Sequence, residues 1–377
     1  MNRIIYTLVL LFCFQLKAQE VFIIKDVKLF DGEKVIAKTS VKVIGNKIVE
    51  VSQAIDENED FKIIDGTGKT LMPALSNAHV HAWSPQSLRE AAKAGVLNVM
   101  DMHGLETYQQ FMLTVKDSTN YARFYRAGFA ATAPEGHGTQ FGFAVPTLEK
   151  PEDAKQFIAD RKEANVDYIK IIVEPYQETL SHETVAEIIK EAHLAKLKAV
   201  VHVSRLADAE KVIENNADGL VHIWWDKSIS IEKLEDLKKD NEFFIIPTLL
   251  TTLKAFEAMG ESEVEMMSRE QLLGEIKKLH DAEIKILAGT DPPNLGINYT
   301  TDLYEELILF KEAGLSTIEV LKAGTINIAE AFNLEDLGQI KQGYLADMIL
   351  INGDLIKNIE EIKNIEMIWK AGKQVKR

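Results

Sequence analysis

From Pro73 onward the chain alternates short apolar runs with longer charged segments, and this rhythm limits the folds open to it more than any other feature. The strand-like runs are the one that ends at His81, then Val96 to Met102, Arg123 to Ala130, Tyr168 to Val173, Lys198 to Val203, Gly219 to Trp224, Phe243 to Leu249 and Lys285 to Thr290. Helical segments separate them at Ser87 to Ala94, Pro151 to Ala164, Ser181 to Leu197, Ala207 to Asn216, Ile231 to Asp240 and Glu263 to Ala282. Two more follow, at Asp302 to Ala313 and Ser316 to Phe332. Strands apolar on both faces belong to a parallel sheet wrapped by helices. Eight is the number that closes a (β/α)8 TIM barrel, so residues 73–337 are predicted to form one. The flanks have a different texture. Residues 20–72 read as β-branched strands broken by Asp31-Gly32, Gly45-Asn46 and Gly66-Thr67-Gly68, and β-texture returns over 338–377. Neither flank buries much alone, so the two are expected to pair as a small β-sandwich domain beside the barrel.

The first 19 residues are of another kind. Arg3 precedes an almost wholly apolar stretch, Ile4 to Leu16, and Lys17-Ala18-Gln19 offers a cleavage region. This is the pattern of a secretory signal peptide, too short to span a bilayer comfortably, and it implies a secreted or periplasmic protein. Retained, it would act as an N-terminal membrane anchor. Cys13 is the only cysteine and lies inside this segment, so the rest of the chain has no disulfide or thiolate chemistry. Loss of Arg3 and Lys17 would move the formal charge from −15 to −17. So acidic a surface repels nucleic acid and anionic lipid, and no basic stripe offsets it.

In a parallel barrel the functional groups sit at the carboxyl ends of strands, where residues distant in sequence converge. His79 and His81 end the first run; two apart on an extended segment, they face one side of the backbone, as a metal clamp or by chance spacing. Lys170 interrupts Tyr-Ile-Lys-Ile-Ile-Val in the fourth run. His202 and His222 fall near the ends of the fifth and sixth, and Asp291 directly follows the eighth. Each alone also reads as a hydrogen-bonded core residue or a turn former. A charged lysine within such a strand is costly unless neutralised or paired. Packing does not account for all six together at five strand ends.

These residues lie in motifs that resemble the amidohydrolase superfamily, in the metal-dependent branch of imidazolonepropionases and Xaa-Pro dipeptidases. The resemblance rests on LMPALSNAHVH, YIKI, VVHVS, GLVHIWWD and AGTD at the first, fourth, fifth, sixth and eighth runs, and on the closing GTINIAEAFNLEDLGQIKQGYLADMILINGD. The chain departs from the pattern at Ala74, where glycine is usual, and at Asn77, where aspartate is usual. The resemblance implies one metal ion on His79, His81 and Asp291, a second on His202 and His222, and a carboxylated Lys170 bridging them. Zn²⁺ suits these ligands best, and Mn²⁺, Fe²⁺ and Co²⁺ fit the same set. It further implies attack of a metal-bridging hydroxide on an amide, lactam or dipeptide carbonyl, with Asp291 taking the proton and passing it to the leaving nitrogen.

The substrate is less constrained. His137, in Gly136-His137-Gly138, resembles a substrate-contacting position of this branch, and Tyr176 and Arg205 are candidates to hold a substrate carboxylate. The expected partner is a small molecule or dipeptide, with homo-oligomers frequent among members of the superfamily. A lactonase, deaminase or decarboxylase would use the same scaffold and metals on another electrophile. A non-catalytic secreted binding protein is the remaining alternative, disfavoured because no ligand position has been replaced.

Overall fold

The computed structural model describes residues 20–56, 61–260 and 266–377, so the expected signal segment 1–19, with Cys13, lies outside the described residues. The N-terminal flank forms β1 (Val21–Phe30), β2 (Val35–Ile44), β3 (Lys47–Ser52), β4 (Lys62–Asp65) and β5 (Lys69–Pro73). Gly45-Asn46 turns β2 back on β3, with Gly45 at φ 60° and Ile44 opposite Lys47. Glycine adopts that left-handed conformation at no steric cost.

The alternating part runs β6 (Leu75–Val80), α1 (Pro85–Lys93), β7 (Val96–Asp101), α2 (Glu106–Val115), β8 (Arg123–Arg126), α3 (Ala154–Glu163), β9 (Ile169–Ile172), α4 (His182–Leu194), β10 (Ala199–His202), α5 (Leu206–Glu214) and β11 (Gly219–Val221). It continues with α6 (Ile231–Asp240), β12 (Phe244–Ile246), α7 (Leu249–Met259), α8 (Arg269–Asp281), β13 (Lys285–Ile286), α9 (Asp302–Glu312), α10 (Thr317–Ala323) and α11 (Ile326–Ala331). The C-terminal flank adds β14 (Met348–Asn352), β15 (Ile365–Lys370) and β16 (Lys373–Gln374). Every strand-like run of the sequence therefore contains a strand.

The architecture is α/β with parallel sheets. β6, β7 and β8 form one, and β9 to β13 form another in sequential order. Backbone bonds also run between their edges. Ala131 N–H donates to Lys170 O at 2.8 Å beside β9, while Ala78 N–H donates to Ala288 O and Asp291 N–H to His79 O where the chain after β13 meets β6. Along β9 and β10, alternate residues separate into two cores. Ile169, Ile171, Ala199 and Val201 face the helices, while Tyr168 and Val200 join a second cluster with Phe244 and Ile246 on the opposite face. Lys170 and His202 share the parity of Tyr168 and Val200, which takes them away from the helices. The two flanks meet in a single eight-stranded sheet, where β14 runs antiparallel to β5 with Met348 opposite Pro73. Phe22 on β1 stacks on Trp369 on β15 at 5.5 Å.

Some boundaries differ from the sequence reading. The helix expected from Glu263 begins at Arg269, because Ser268 and Gln271 form a reciprocal capping box there. The segment Ser316 to Phe332 is two helices, α10 and α11, parted at Gly324-Thr325. The strand expected over Phe243 to Leu249 stops at Ile246. Pro247 has no N–H for the ladder, and Thr248 at φ 47° turns the chain into α7, a helix the sequence reading did not anticipate. Among the described residues no helix is long and apolar enough to cross a membrane.

Candidate metal centre

All six chemistry-bearing residues of the strand ends line one cavity of about 290 Å³. His79, Lys170, His202 and Asp291 are buried, and His81 and His222 are nearly so. The Nε2 atoms of His79 and His81 lie 3.3 Å apart, and each approaches Asp291 Oδ1, at 3.2 and 3.0 Å. His222 completes a group with His79 and Asp291 whose donor atoms lie within 4.8 Å of one another. The His202 and His222 rings meet at 4.5 Å between centroids.

For His81, His202 and His222 a hydrogen bond on the far side of the ring sets which nitrogen faces inward, whereas His79 Nδ1 is buried without a partner among the described residues. His81 Nδ1 pairs with the carbonyl of His103 at 3.0 Å, which leaves Nε2 as its free donor atom. Glu174 Oε2 accepts from His202 Nε2 at 3.1 Å and from Ser204 Oγ at 2.6 Å, which leaves His202 Nδ1 free. His222 Nδ1 meets Thr248 Oγ1 at 2.6 Å, which leaves Nε2. His222, Thr248 and Asp291 all hold positive φ, at 67°, 47° and 57°, a conformation uncommon for non-glycine residues and concentrated at functional sites. Asn77 shows why an amide suits its position. Its Nδ2 donates to Thr290 Oγ1 at 2.8 Å while Oδ1 accepts from His79 N at 3.1 Å and Thr290 N at 3.2 Å, tying the first strand to the segment before Asp291. With a carboxylate here the Thr290 hydroxyl would have to turn and donate instead. Gly289 allows the approach, since a Cβ there would lie 3.0 Å from His79 N.

The electrostatics are those of cationic sites pressed out of water. Burial lowers the His79 pKa to about 3, against the pull of Asp291, and holds His202 and His222 well below the ordinary imidazole value. At His81 burial works the same way, but the hydrogen bond and charge of Asp291 outweigh it and the pKa rises. Burial would raise Asp291, yet His79 and His81 hold it well below the usual carboxylate range. Burial lowers Lys170 to about 7, and no hydrogen bond or ion pair to its Nζ is found among the described residues. Imidazoles that burial holds neutral at His79, His202 and His222, the His81 ring beside an ionised Asp291, and a buried lysine amine form a donor set that fits divalent cations.

The three substrate candidates part company. His137 lines the cavity, its ring 5.1 Å from that of His202. Tyr176 is exposed and is not among the lining residues, and neither is Arg205. Arg205 lies over the Tyr176 ring at 4.5 Å and donates Nε–H to its hydroxyl at 3.3 Å. The sequence reading missed Thr248, the α7 wall and the role of Glu174, which meets His202 rather than Lys170. Glu174 was within reach of it, an acid directly after the fourth apolar run. His103, in the loop after the second run, also lines the cavity; its Nδ1 accepts from Ala130 N and its Nε2 pairs with Gly138 O, clasping the loop that carries His137.

Residues 70–375 match the Amidohydrolase family. The chain belongs to that family. As an amidohydrolase it is a hydrolase acting on carbon–nitrogen bonds. It is 24% identical to a 5'-deoxyadenosine deaminase of Methanosphaera stadtmanae over 88% of this chain and 84% of that one. Among solved structures it is similar to a Xaa-Pro dipeptidase with bound methionine (TM-score 0.82, 20% identity, 95% of this chain and 100% of that one). It is also similar to a putative prolidase from Bifidobacterium longum (TM-score 0.80, 21% identity, 95% of each). At such identities the structural likeness is one of fold.

Proposed function

We propose that this amidohydrolase cleaves an amide-type carbon–nitrogen bond in a small molecule at a two-cation centre. The observation that carries the reading is the convergence of His79, His81, Lys170, His202, His222 and Asp291, from five strand ends, on one cavity. His79, His81 and Asp291 would hold one cation and His202 and His222 the other. Lys170, carboxylated on Nζ, would lie between them, which answers the burial of an amine without a hydrogen bond or ion pair among the described residues. Zinc fits this donor set best. When bound, such cations polarise a carbonyl oxygen and lower the pKa of water. Asp291 then takes a proton from water and delivers it to the leaving nitrogen, and the His137 imidazole can donate a hydrogen bond to the substrate carbonyl.

The same proposal includes a closed (β/α)8 barrel over 73–337, supported by the backbone bonds between the edges of the two parallel sheets, and a β-sandwich in which the one sheet of 20–72 and 338–377 folds over on itself, supported by the stacking of Phe22 on Trp369 across the intervening strands β5 and β14. It also includes export directed by residues 1–19. Metal analysis of purified protein, with hydrolysis of a panel of amides, lactams, dipeptides and nucleosides, tests the reading. Two ions per chain and amide cleavage are expected; one ion with deamination of an adenine nucleoside would replace it with a deaminase.

A further inference from the structure

Outside the metal centre the cavity is walled by rings and neutral groups. Trp225, Phe256 and Met259 form one side, the last two from α7, and Phe141 stands on another. The Trp225 ring is fixed from behind, stacked on Tyr176 at 5.3 Å and 9° and edge-on to Phe256 at 5.9 Å. Phe141 stacks on Phe143 at 6.3 Å, and both meet Trp83. These are built walls, since each ring is braced by another.

The polar lining has little left to offer a charged ligand. Ser204 donates to Glu174, Thr251 Oγ1 to Thr290 O, Thr252 Oγ1 to Thr248 O, and Asn294 Nδ2 to Asp291. Gln140 Oε1 accepts from Gly138 N. Among the described residues lining the cavity the only lysine, arginine, aspartate or glutamate side chains are Lys170 and Asp291, both of the metal centre. Arg205 is engaged with Tyr176 outside the cavity. A carboxylate or ammonium brought in here would lose its water and, outside the metal centre, meet only neutral groups such as His137 and Gln140 among the described residues, with no opposite charge to offset a cost of at least a few kcal/mol.

We infer that the substrate is an uncharged amide bearing a flat apolar group, which lies between Trp225 with Phe256 and Phe141, rather than a zwitterionic dipeptide. The inference rests on the amide-cleaving reading above and narrows it. Two matched pairs test it on the metal-replete full chain. Acetophenone and 4-acetylbenzoate are compared by calorimetric binding, and acetanilide and 4-acetamidobenzoate by hydrolysis, with phenylalanylproline as a third substrate. The neutral member of each pair should be favoured by about tenfold or more, roughly 1.4 kcal/mol or above. Acetanilide should also be cleaved in preference to the dipeptide. Trp225→Ala and Phe256→Ala should raise KM for acetanilide with metal content unchanged. Equal or better use of 4-acetamidobenzoate or the dipeptide overturns the inference and leaves amide hydrolysis standing. Selective binding of acetophenone without cleavage of any amide supports the neutral apolar pocket but removes the amide-cleaving reading. Failure of both binding and cleavage to favour the neutral compounds overturns the inference outright.

Discussion

Glu174 offers the sharpest test of how the centre is held. Its Oε2 accepts from His202 Nε2 and Ser204 Oγ, so the carboxylate fixes the ring that presents Nδ1 to the cavity. A hydrogen bond to a charged acceptor is worth roughly 1.5–3 kcal/mol net and a neutral one roughly 0.5–1.5. Glu174→Gln exchanges the first for the second and should cost about 1–1.5 kcal/mol of whatever depends on the His202 orientation. At about 1.4 kcal/mol per decade, the affinity for the cation on His202 should fall about tenfold. Glu174→Ala leaves both donors without this partner, and the loss should approach about 100-fold. Competition with a chelator of known affinity measures this, with circular dichroism to establish that the fold persists. Unchanged affinity in folded Glu174→Ala would refute the assignment, and so would equal losses at both cations, since His202 is the one proposed ligand that touches this carboxylate.

Lys170→Ala should lower metal content from two ions per chain to one, read by elemental analysis; two ions in the variant would end the bridging role. Asp291→Asn removes the proton acceptor and should reduce turnover by about 100-fold or more, with the cation on His202 and His222 retained; a near-normal rate would dismiss Asp291 as the base. Glu275 is buried and accepts from Trp224 Nε1 at 2.9 Å and Ile229 N at 2.8 Å. Its replacement by alanine leaves two buried donors, at about 1–3 kcal/mol each, and urea unfolding should show a loss of about 2–6 kcal/mol. Glu306 on α9 accepts from the N–H groups of Leu249 and Leu250 at the start of α7, yet burial pushes its pKa up from 4.5 to about 8. The folded state then holds a proton that the unfolded chain releases, so stability from this group is full below pH 4.5 and falls as the pH rises towards 8. Glu306→Gln should flatten that part of the denaturation profile, and an unchanged slope would show that Glu306 does not carry it.

The strand ends were legible because a buried parallel strand has to be apolar. A histidine, lysine or aspartate within or directly after one is therefore conspicuous, as at Lys170, His202, His222 and Asp291. The Asn77 departure was visible too, but its reason was not, because the partner of its amide, Thr290, lies on the other side of the alternating region. The α7 wall was hidden for a local reason: FFIIPTLLTTL is one apolar run, and only the Pro247-Thr248 turn divides strand from helix.

Taken alone, the sequence determined the alternation, the family and the six residues that converge, since burial leaves its mark on each element separately. Tertiary structure decided how those residues are used. It chose which imidazole nitrogen faces the cavity, gave Glu174 to His202, spent Arg205 on Tyr176, and brought Trp225, Phe256 and Phe141 around the same space. Such choices depend on distances between elements, and those distances are set by how the strands and loops pack together rather than by any one segment's pattern.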